Sequence, residues 1–114
     1  MDRRKVLKQA YKETPRSMGV LQITNEKNGK RLILGSMNLP GSINSQRFQL
    51  NIGSHRNKEL QADWQLFGSK AFSFEVLENL KPAEFAPEEW RAAVDDMEEK
   101  WKAQLQPFGE KGYN

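Results

Sequence analysis

The alternation of apolar and polar residues predicts a β-hairpin near the beginning of the chain. Residues 19–25 (GVLQITN) and 31–36 (RLILGS) are mostly aliphatic, and the polar turn between them contains Asn28 and Gly29. Such runs favour strands, and an Asn-Gly pair between them favours a short antiparallel turn. The run 71–80 (AFSFEVLENL) places apolar residues at every second position, which is the period of a strand, and it predicts a third strand.

Apolar residues at helical spacing predict three helices after the hairpin. The first lies between Pro40 and Gly53, since proline suits the first turn of a helix and glycine suits the residue after its end. The second is capped by Asn57 and ends at Gly68. The third, over residues 90–105, has the strongest pattern, because its apolar residues share one face (Trp90, Ala93, Val94, Met97, Trp101 and Leu105).

These elements predict an α+β fold, a small three-stranded antiparallel sheet flanked by helices. Residues 19–114 form the predicted domain. Residues 1–18 precede it as a basic helical extension and linker, with a weak apolar stripe over residues 6–11.

Composition excludes several classes of site. The chain has 114 residues, enough for one hydrophobic core, and its lack of cysteine excludes disulfides, thiolate nucleophiles and thiolate zinc sites. No apolar run approaches the roughly 18 residues of a membrane span, and no apolar segment follows the basic N-terminus. We therefore expect a cytoplasmic protein with no membrane partner.

Charge is distributed unevenly along the chain. Residues 1–60 contain twelve Lys and Arg against four Asp and Glu, whereas residues 61–114 contain six against eleven. Clustered cations gain affinity for phosphates because binding releases counterions. The first half is therefore a candidate polyanion-binding surface, although two solvated surfaces of opposite sign explain the same distribution equally well.

Several strings, in their order and spacing, resemble the GIY-YIG nuclease family. They are GVLQITNEKNGK in the first strand and turn, LGSMNL after the second strand, GSHRNKELQADWQLFGSKAFSFEVLE through the second helix and third strand, and EKWKAQLQPFGEKGYN at the end of the chain. The resemblance covers residues 19–114 and implies the small α+β fold described above. For an active member it also implies metal-dependent cleavage of phosphodiester bonds.

The two tyrosines that give the family its name are replaced in this chain. The resemblance places Leu21 at the first position, in the first strand of the hairpin. It places Ile33 at the second position, with Leu32 as a rival because the strand contains one extra residue. Core packing is the simplest interpretation of Leu21 and Ile33.

The next helix normally carries an arginine and, four residues later, a histidine or tyrosine. Counting back from His55, these positions fall on Ser42 and Gln46. In the family these groups stabilise charge on the phosphate and help to activate water. Ser42 lacks the positive charge for the first role, and Gln46 cannot accept a proton for the second.

Two family positions keep residues of the expected kind. Glu98 matches the acidic residue that holds the single divalent metal, and Asn114 matches a polar residue near that site. The resemblance therefore leaves both as surviving catalytic positions, with Glu98 as the metal ligand. Mg²⁺ or Mn²⁺ is the expected cofactor if the chain is active, and no cofactor is expected otherwise. The alternative is that Glu98 belongs to an ordinary solvated acidic run.

The candidate nucleic-acid contacts are Arg31, Arg47, His55, Arg56 and Lys58. The four cations among them lie around the hairpin and the two following helices, and scattered surface charge explains them nearly as well. His55 is the only histidine, and we interpret it as a turn residue before Asn57 rather than as a reacting group.

The sequence thus predicts a catalytically inactive GIY-YIG-like domain that binds nucleic acid, DNA in preference to RNA, in a regulatory role. Two alternatives stay open. One is a divalent-metal-dependent endonuclease with a rearranged site around Glu98. The other is a protein-interaction domain that uses the apolar hairpin surface, as a homodimer or with another protein. The fold does not choose among them, because function depends on the site.

Overall fold

A computed structural model describes residues 16–114, so the helix predicted over residues 1–12 lies outside the described range. The elements, in chain order, are β1 (Gly19–Asn25), β2 (Arg31–Ser36), α1 (Leu39–Ile52), α2 (Lys58–Phe67), β3 (Phe72–Asn79) and α3 (Trp90–Leu105). The predicted α+β fold is confirmed. Within residues 16–114, no helix is both long enough and apolar enough to cross a bilayer.

The three strands form one antiparallel sheet in the order β2–β1–β3. In the turn between β1 and β2, Gly29 has a φ of +77°, a left-handed conformation that glycine adopts at no steric cost. The hairpin register pairs Leu21 with Leu34 and Ile23 with Leu32. Paired residues of antiparallel strands point to the same face of a sheet, so these four side chains share one face.

Helices α1 and α2 cover that face of the sheet. Leu21 and Ile23 pack in one buried cluster with Leu50 of α1 and with Leu60 and Trp64 of α2. The helix boundaries follow local signals that are visible in the sequence. The Asn57 side chain accepts a hydrogen bond from the Leu60 N–H (3.0 Å), and Gly53 ends α1 in a left-handed conformation.

Helix α3 covers the opposite face. It approaches β2 closely at Gly35, where an added Cβ would lie only 2.9 Å from Val94 Cγ1. Ile33 lies two residues before Gly35 and therefore points to the same side. Val94 packs with Met18 and Leu80 in a second buried cluster. The sheet is thus enclosed between α1 and α2 on one side and α3 on the other.

The packed domain begins slightly before the predicted boundary at residue 19. The Ser17 carbonyl accepts the Leu39 N–H (2.7 Å), and the Met18 carbonyl accepts the Leu80 N–H (2.8 Å). Met18 is also buried. Residues 17 and 18, which the sequence assigned to the linker, therefore belong to the domain.

The last residues of the chain return to the free edge of β2. Gly112 forms a parallel bridge with Arg31, and the Tyr113 N–H donates to the Arg31 carbonyl (2.9 Å). This return requires glycine, because a Cβ at Gly112 would lie 2.1 Å from the Pro107 carbonyl oxygen. The tail therefore lies along an edge that would otherwise be open to pairing with another chain.

Candidate functional site

A groove of about 510 Å³ lies beside α1 on the face that α1 and α2 cover. It is lined by Leu32 and Leu34 of β2, by Gln46 and Gln49 of α1, and by the loop of residues 55–57. We call it the α1 groove. Its two leucines are half-buried and point the same way because they are two residues apart on a strand. The β2 side of the groove is therefore aliphatic, and the polar groups come from α1 and the loop.

The two positions that the resemblance assigns to the family's tyrosines face opposite sides of the sheet. Leu21 is fully buried under α1 and α2, and Ile33 is 1% exposed on the side of α3. Leu32, the rival to Ile33, shares its face with Leu21 and also lines the α1 groove. Leu21 and Ile33 are thus core residues, and neither lines the groove.

The two α1 positions provide hydrogen-bonding groups without charge. Ser42 Oγ forms a hydrogen bond with Ser36 Oγ at the end of β2. Gln46 lines the α1 groove, and its Oε1 contacts the Nε2 of His55. Neither side chain carries a positive charge, and neither is basic enough to take a proton from water. Ser42 and Gln46 therefore supply neither the charge stabilisation nor the water activation that the resemblance implies at these positions.

His55 is held as a neutral, fully hydrogen-bonded imidazole. It is 4% exposed, and its Nδ1 accepts the Asn57 backbone N–H at 3.0 Å. Because only an unprotonated nitrogen accepts, the hydrogen of the neutral ring is on Nε2, which donates to Gln46 Oε1. Burial lowers the pKa of His55, and the charge of Arg56 lowers it further. His55 therefore has no free lone pair with which to act as a base.

The structure brings only some of the candidate nucleic-acid contacts together. Arg56 and Lys58 are exposed, and Arg56 lines the α1 groove beside His55. Among residues 16–114, the cations in ion pairs are Lys30 and Lys102, so Arg56 and Lys58 are free of acidic partners.

The other two candidate cations lie elsewhere. The Arg47 guanidinium stacks over the Phe74 ring, 4.6 Å from its centre, and lines a separate depression with Trp64 and Phe72. Arg31 lies near the C-terminal end of α3 and donates to Gln22 Oε1 (3.2 Å). The predicted cluster of four cations is therefore not one surface, because strand alternation and helix rotation separate residues that are close in sequence.

Glu98 and Asn114 both bind the free edge of β2. Glu98 Oε1 accepts the Gly35 N–H at 2.5 Å, and its Oε2 accepts a hydrogen bond from the Lys102 ammonium at 2.7 Å. Asn114 Oδ1 accepts the Ile33 N–H, and its Nδ2 donates to the Ile33 carbonyl, each at 2.8 Å. Both side chains thus satisfy outward-facing backbone groups of an edge strand.

This arrangement does not fit a resident divalent cation at Glu98. Both carboxylate oxygens already have donors, and the bond to Glu98 raises the pKa of Lys102, which keeps that ammonium charged. Across residues 16–114, no three His, Cys, Asp or Glu side chains are grouped closely enough to hold a metal. A cation at Glu98 would therefore have to displace Lys102 and would have one carboxylate as its protein ligand.

Sequence reasoning missed the structural role of Tyr113. Its hydroxyl donates to Asp63 Oδ2 (2.7 Å) and accepts from Asn25 Nδ2 (3.1 Å). Burial and the bond to Asp63 raise the pKa of Tyr113 to about 12, so the phenol stays protonated. Its carbonyl also accepts from Asn57 Nδ2 (2.7 Å). Tyr113 thereby connects the β2 edge to the loop beside the α1 groove. The signal in the sequence is the closing Gly-Tyr-Asn, in which the family resemblance assigns a role to Asn114 alone.

Comparison with solved structures finds the same fold in a nuclease domain. An alanine mutant of the catalytic domain of intron endonuclease I-TevI superposes with a TM-score of 0.70 at 22% identity, over 86% of this chain and 92% of that one. The catalytic domain of homing endonuclease I-TevI gives a TM-score of 0.69 at 22% identity, over 85% and 96%. Comparison with family models and with curated protein sequences gives no match. The chain therefore has a GIY-YIG-like fold.

Substitution of Glu98 tests its role at the β2 edge. Glu98→Ala leaves the Gly35 N–H without its acceptor and the Lys102 ammonium with only the longer contact to Glu99 Oε1 (3.7 Å), and we expect the free energy of unfolding to fall by about 1–3 kcal/mol. Glu98→Gln keeps an acceptor for the Gly35 N–H, so its free energy of unfolding should fall by less. Urea unfolding followed by tryptophan fluorescence measures both changes.

Asp95→Ala is the matched control, because that side chain is exposed on the same helix and forms no ion pair among residues 16–114, and its effect should stay within about 0.5 kcal/mol. The account would be contradicted if Mg²⁺ stabilised the native chain and did not stabilise Glu98→Gln, because that result would show metal binding at Glu98 in the folded state.

Neutral His55 predicts a loss of stability in weak acid. Its pKa in the folded chain lies below the ordinary value of 6.5, so the unfolded chain binds more protons and stability falls as the pH drops below that value. Urea midpoints at about pH 7.5 and about pH 5.5 measure the effect. His55→Asn keeps an acceptor for the Asn57 N–H but does not titrate, so its midpoint should change less. Equal changes in the two proteins would assign the pH dependence to other groups.

Proposed function

We propose that this chain is a non-cleaving, nucleic-acid-binding domain with a GIY-YIG-like fold and a regulatory role. The observation that carries the proposal is the composition of the α1 groove. It combines an aliphatic side with two neutral amides and a neutral imidazole, next to the exposed cation of Arg56. Such a site has groups that bind a polar polymer and lacks those that cleave it.

Hydrolysis of a phosphodiester requires a base or activated water and a concentrated positive charge at the phosphate. His55 uses both ring nitrogens in hydrogen bonds, and Gln46 is not basic. The endonuclease alternative needs a free carboxylate at Glu98, whose two oxygens are bound by Gly35 and Lys102. Binding without cleavage therefore requires fewer changes in the contacts of His55 and Glu98 than hydrolysis would require.

Arg56 and Lys58 support contact with a phosphate backbone. Both are exposed and free of acidic partners among the described residues, and a guanidinium pairs with phosphate in a bidentate manner. Because Arg31 and Arg47 lie on other surfaces, the set of phosphate contacts is small, and the affinity should be modest at physiological salt. DNA is the proposed polymer, since the structural neighbours are described as domains of a homing endonuclease.

A protein-interaction role is the second candidate, and exposed apolar side chains on the helices favour it. Leu21, Ile23 and Ile33 of the hairpin are buried, so its accessible apolar surface is limited to the half-buried Leu32 and Leu34. Phe48 and Ile52 of α1 are 62% and 59% exposed, and Leu66 of α2 is 75% exposed. Large exposed apolar residues are common at interfaces between proteins. A mass in solution that rises with protein concentration would support self-association through this surface.

Binding to a labelled DNA of about 20 nucleotides tests the main proposal. Fluorescence anisotropy should show affinity that falls steeply between about 50 and 200 mM salt. The double variant Arg56→Ala with Lys58→Ala should bind more weakly, and the slope of log affinity against log salt should fall by about one for each phosphate interaction that the substitutions remove. Lys100→Ala, an exposed lysine of α3, is the control and should leave the slope unchanged. Absence of binding at about 50 mM salt, or an unchanged slope in the double variant, would contradict the proposal.

A further inference from the structure

The α1 groove presents one hydrogen-bond donor and one acceptor that have no partner among residues 16–114. Gln46 Oε1 is occupied by His55 Nε2–H, so the amide nitrogen of Gln46 is left as a donor. Gln49 Nε2 donates to Ser45 Oγ at 2.9 Å, so the amide oxygen of Gln49 is left as an acceptor. The two residues are one helical turn apart on α1 and line the same groove.

This pair of groups distinguishes between two parts of a nucleotide. A phosphate group offers only hydrogen-bond acceptors. The amide oxygen of Gln49 is also an acceptor, so it cannot form a hydrogen bond with a phosphate and is repelled by the phosphate's negative charge. The edge of a nucleobase carries both donors and acceptors, which complement an amide nitrogen beside an amide oxygen. The polar side of the groove therefore suits a base better than a phosphate.

The aliphatic side of the groove supports the same assignment. Leu32 and Leu34 lie next to one another on β2 and present half-buried apolar surface, against which the face of a flat ring can pack. A volume of about 510 Å³ falls in the range of sites for small organic ligands, and it exceeds what a phosphate needs. Arg56 at the groove provides a cation for the phosphate attached to such a base.

We propose that the α1 groove binds one unpaired nucleobase of a single-stranded or locally opened nucleic acid. The ring packs on Leu32 and Leu34, and its edge bonds to the amide nitrogen of Gln46 and the amide oxygen of Gln49. The inference rests on the proposed nucleic-acid function and narrows its ligand to an unpaired base. In an intact duplex, stacking covers the faces of the bases, on which the two leucines would pack, and pairing covers their Watson–Crick edges.

The test compares three labelled DNAs at one salt concentration, about 100 mM, using the native 114-residue chain. They are a single strand of about 12 nucleotides, the same strand with its central bases removed, and the matching duplex. We expect the single strand to bind more tightly than the abasic strand, although both carry the same phosphates. Gln49→Met keeps the length of the side chain and removes the acceptor, so it should weaken binding of the intact strand roughly five-fold and leave the abasic strand unchanged.

Gln104→Met, on the exposed surface of α3, is the matched control and should bind all three DNAs like the native chain. Equal affinity of the native chain for the intact and abasic strands would overturn the inference, as would tighter binding of the duplex. If all three DNAs bind with equal affinity at about 100 mM salt, the base site fails and the proposed nucleic-acid function survives. If none binds even when the salt is lowered to about 50 mM, both fail.

Discussion

The hydrogen bonds along the outer edge of β2 hold the two helical layers and the α1 groove in place. An edge strand leaves alternate N–H and C=O groups without partners, and here Tyr113 pairs the Arg31 carbonyl, Asn114 pairs both groups of Ile33, and Glu98 pairs the Gly35 N–H. Glu98 belongs to α3, so this contact attaches α3 to one side of the sheet. The Tyr113 carbonyl binds Asn57, the cap of α2, and so the tail also positions the loop beside the groove.

This constraint gives Glu98 and Asn114 a role that does not involve catalysis. A carboxylate and an amide at these positions satisfy backbone groups that would cost about 1–3 kcal/mol each if they were buried without a partner. Lys102 neutralises the remaining oxygen of Glu98. The architecture of the sheet edge therefore accounts for Glu98 and Asn114, while Leu21 and Ile33 are buried in the core. The α1 groove is open to solvent, with its amides, its aliphatic side and Arg56.

The strands and helices were predictable because their signals are local. Asn57 and Gly53 each cap a helix end only a few residues away. The apolar residues of 90–105 likewise recur within a single helix. The site was predictable only in part. Ser42, Gln46 and Glu98 were predicted as site positions from the family resemblance, but their hydrogen-bond partners lie elsewhere in the sequence, and a one-residue change along β2 moves a side chain to the other face. The tautomer of His55 likewise depends on its contact with Gln46, nine residues earlier on α1.

The most direct measurement is cleavage of supercoiled plasmid DNA by the native chain with Mg²⁺ and with Mn²⁺, with Glu98→Gln assayed in parallel. If Glu98 closes the β2 edge and His55 is not a base, neither protein should nick the plasmid with either metal. Divalent-dependent nicking by the native chain that Glu98→Gln abolishes would contradict this account, because it would show that Glu98 leaves the strand edge to take part in hydrolysis.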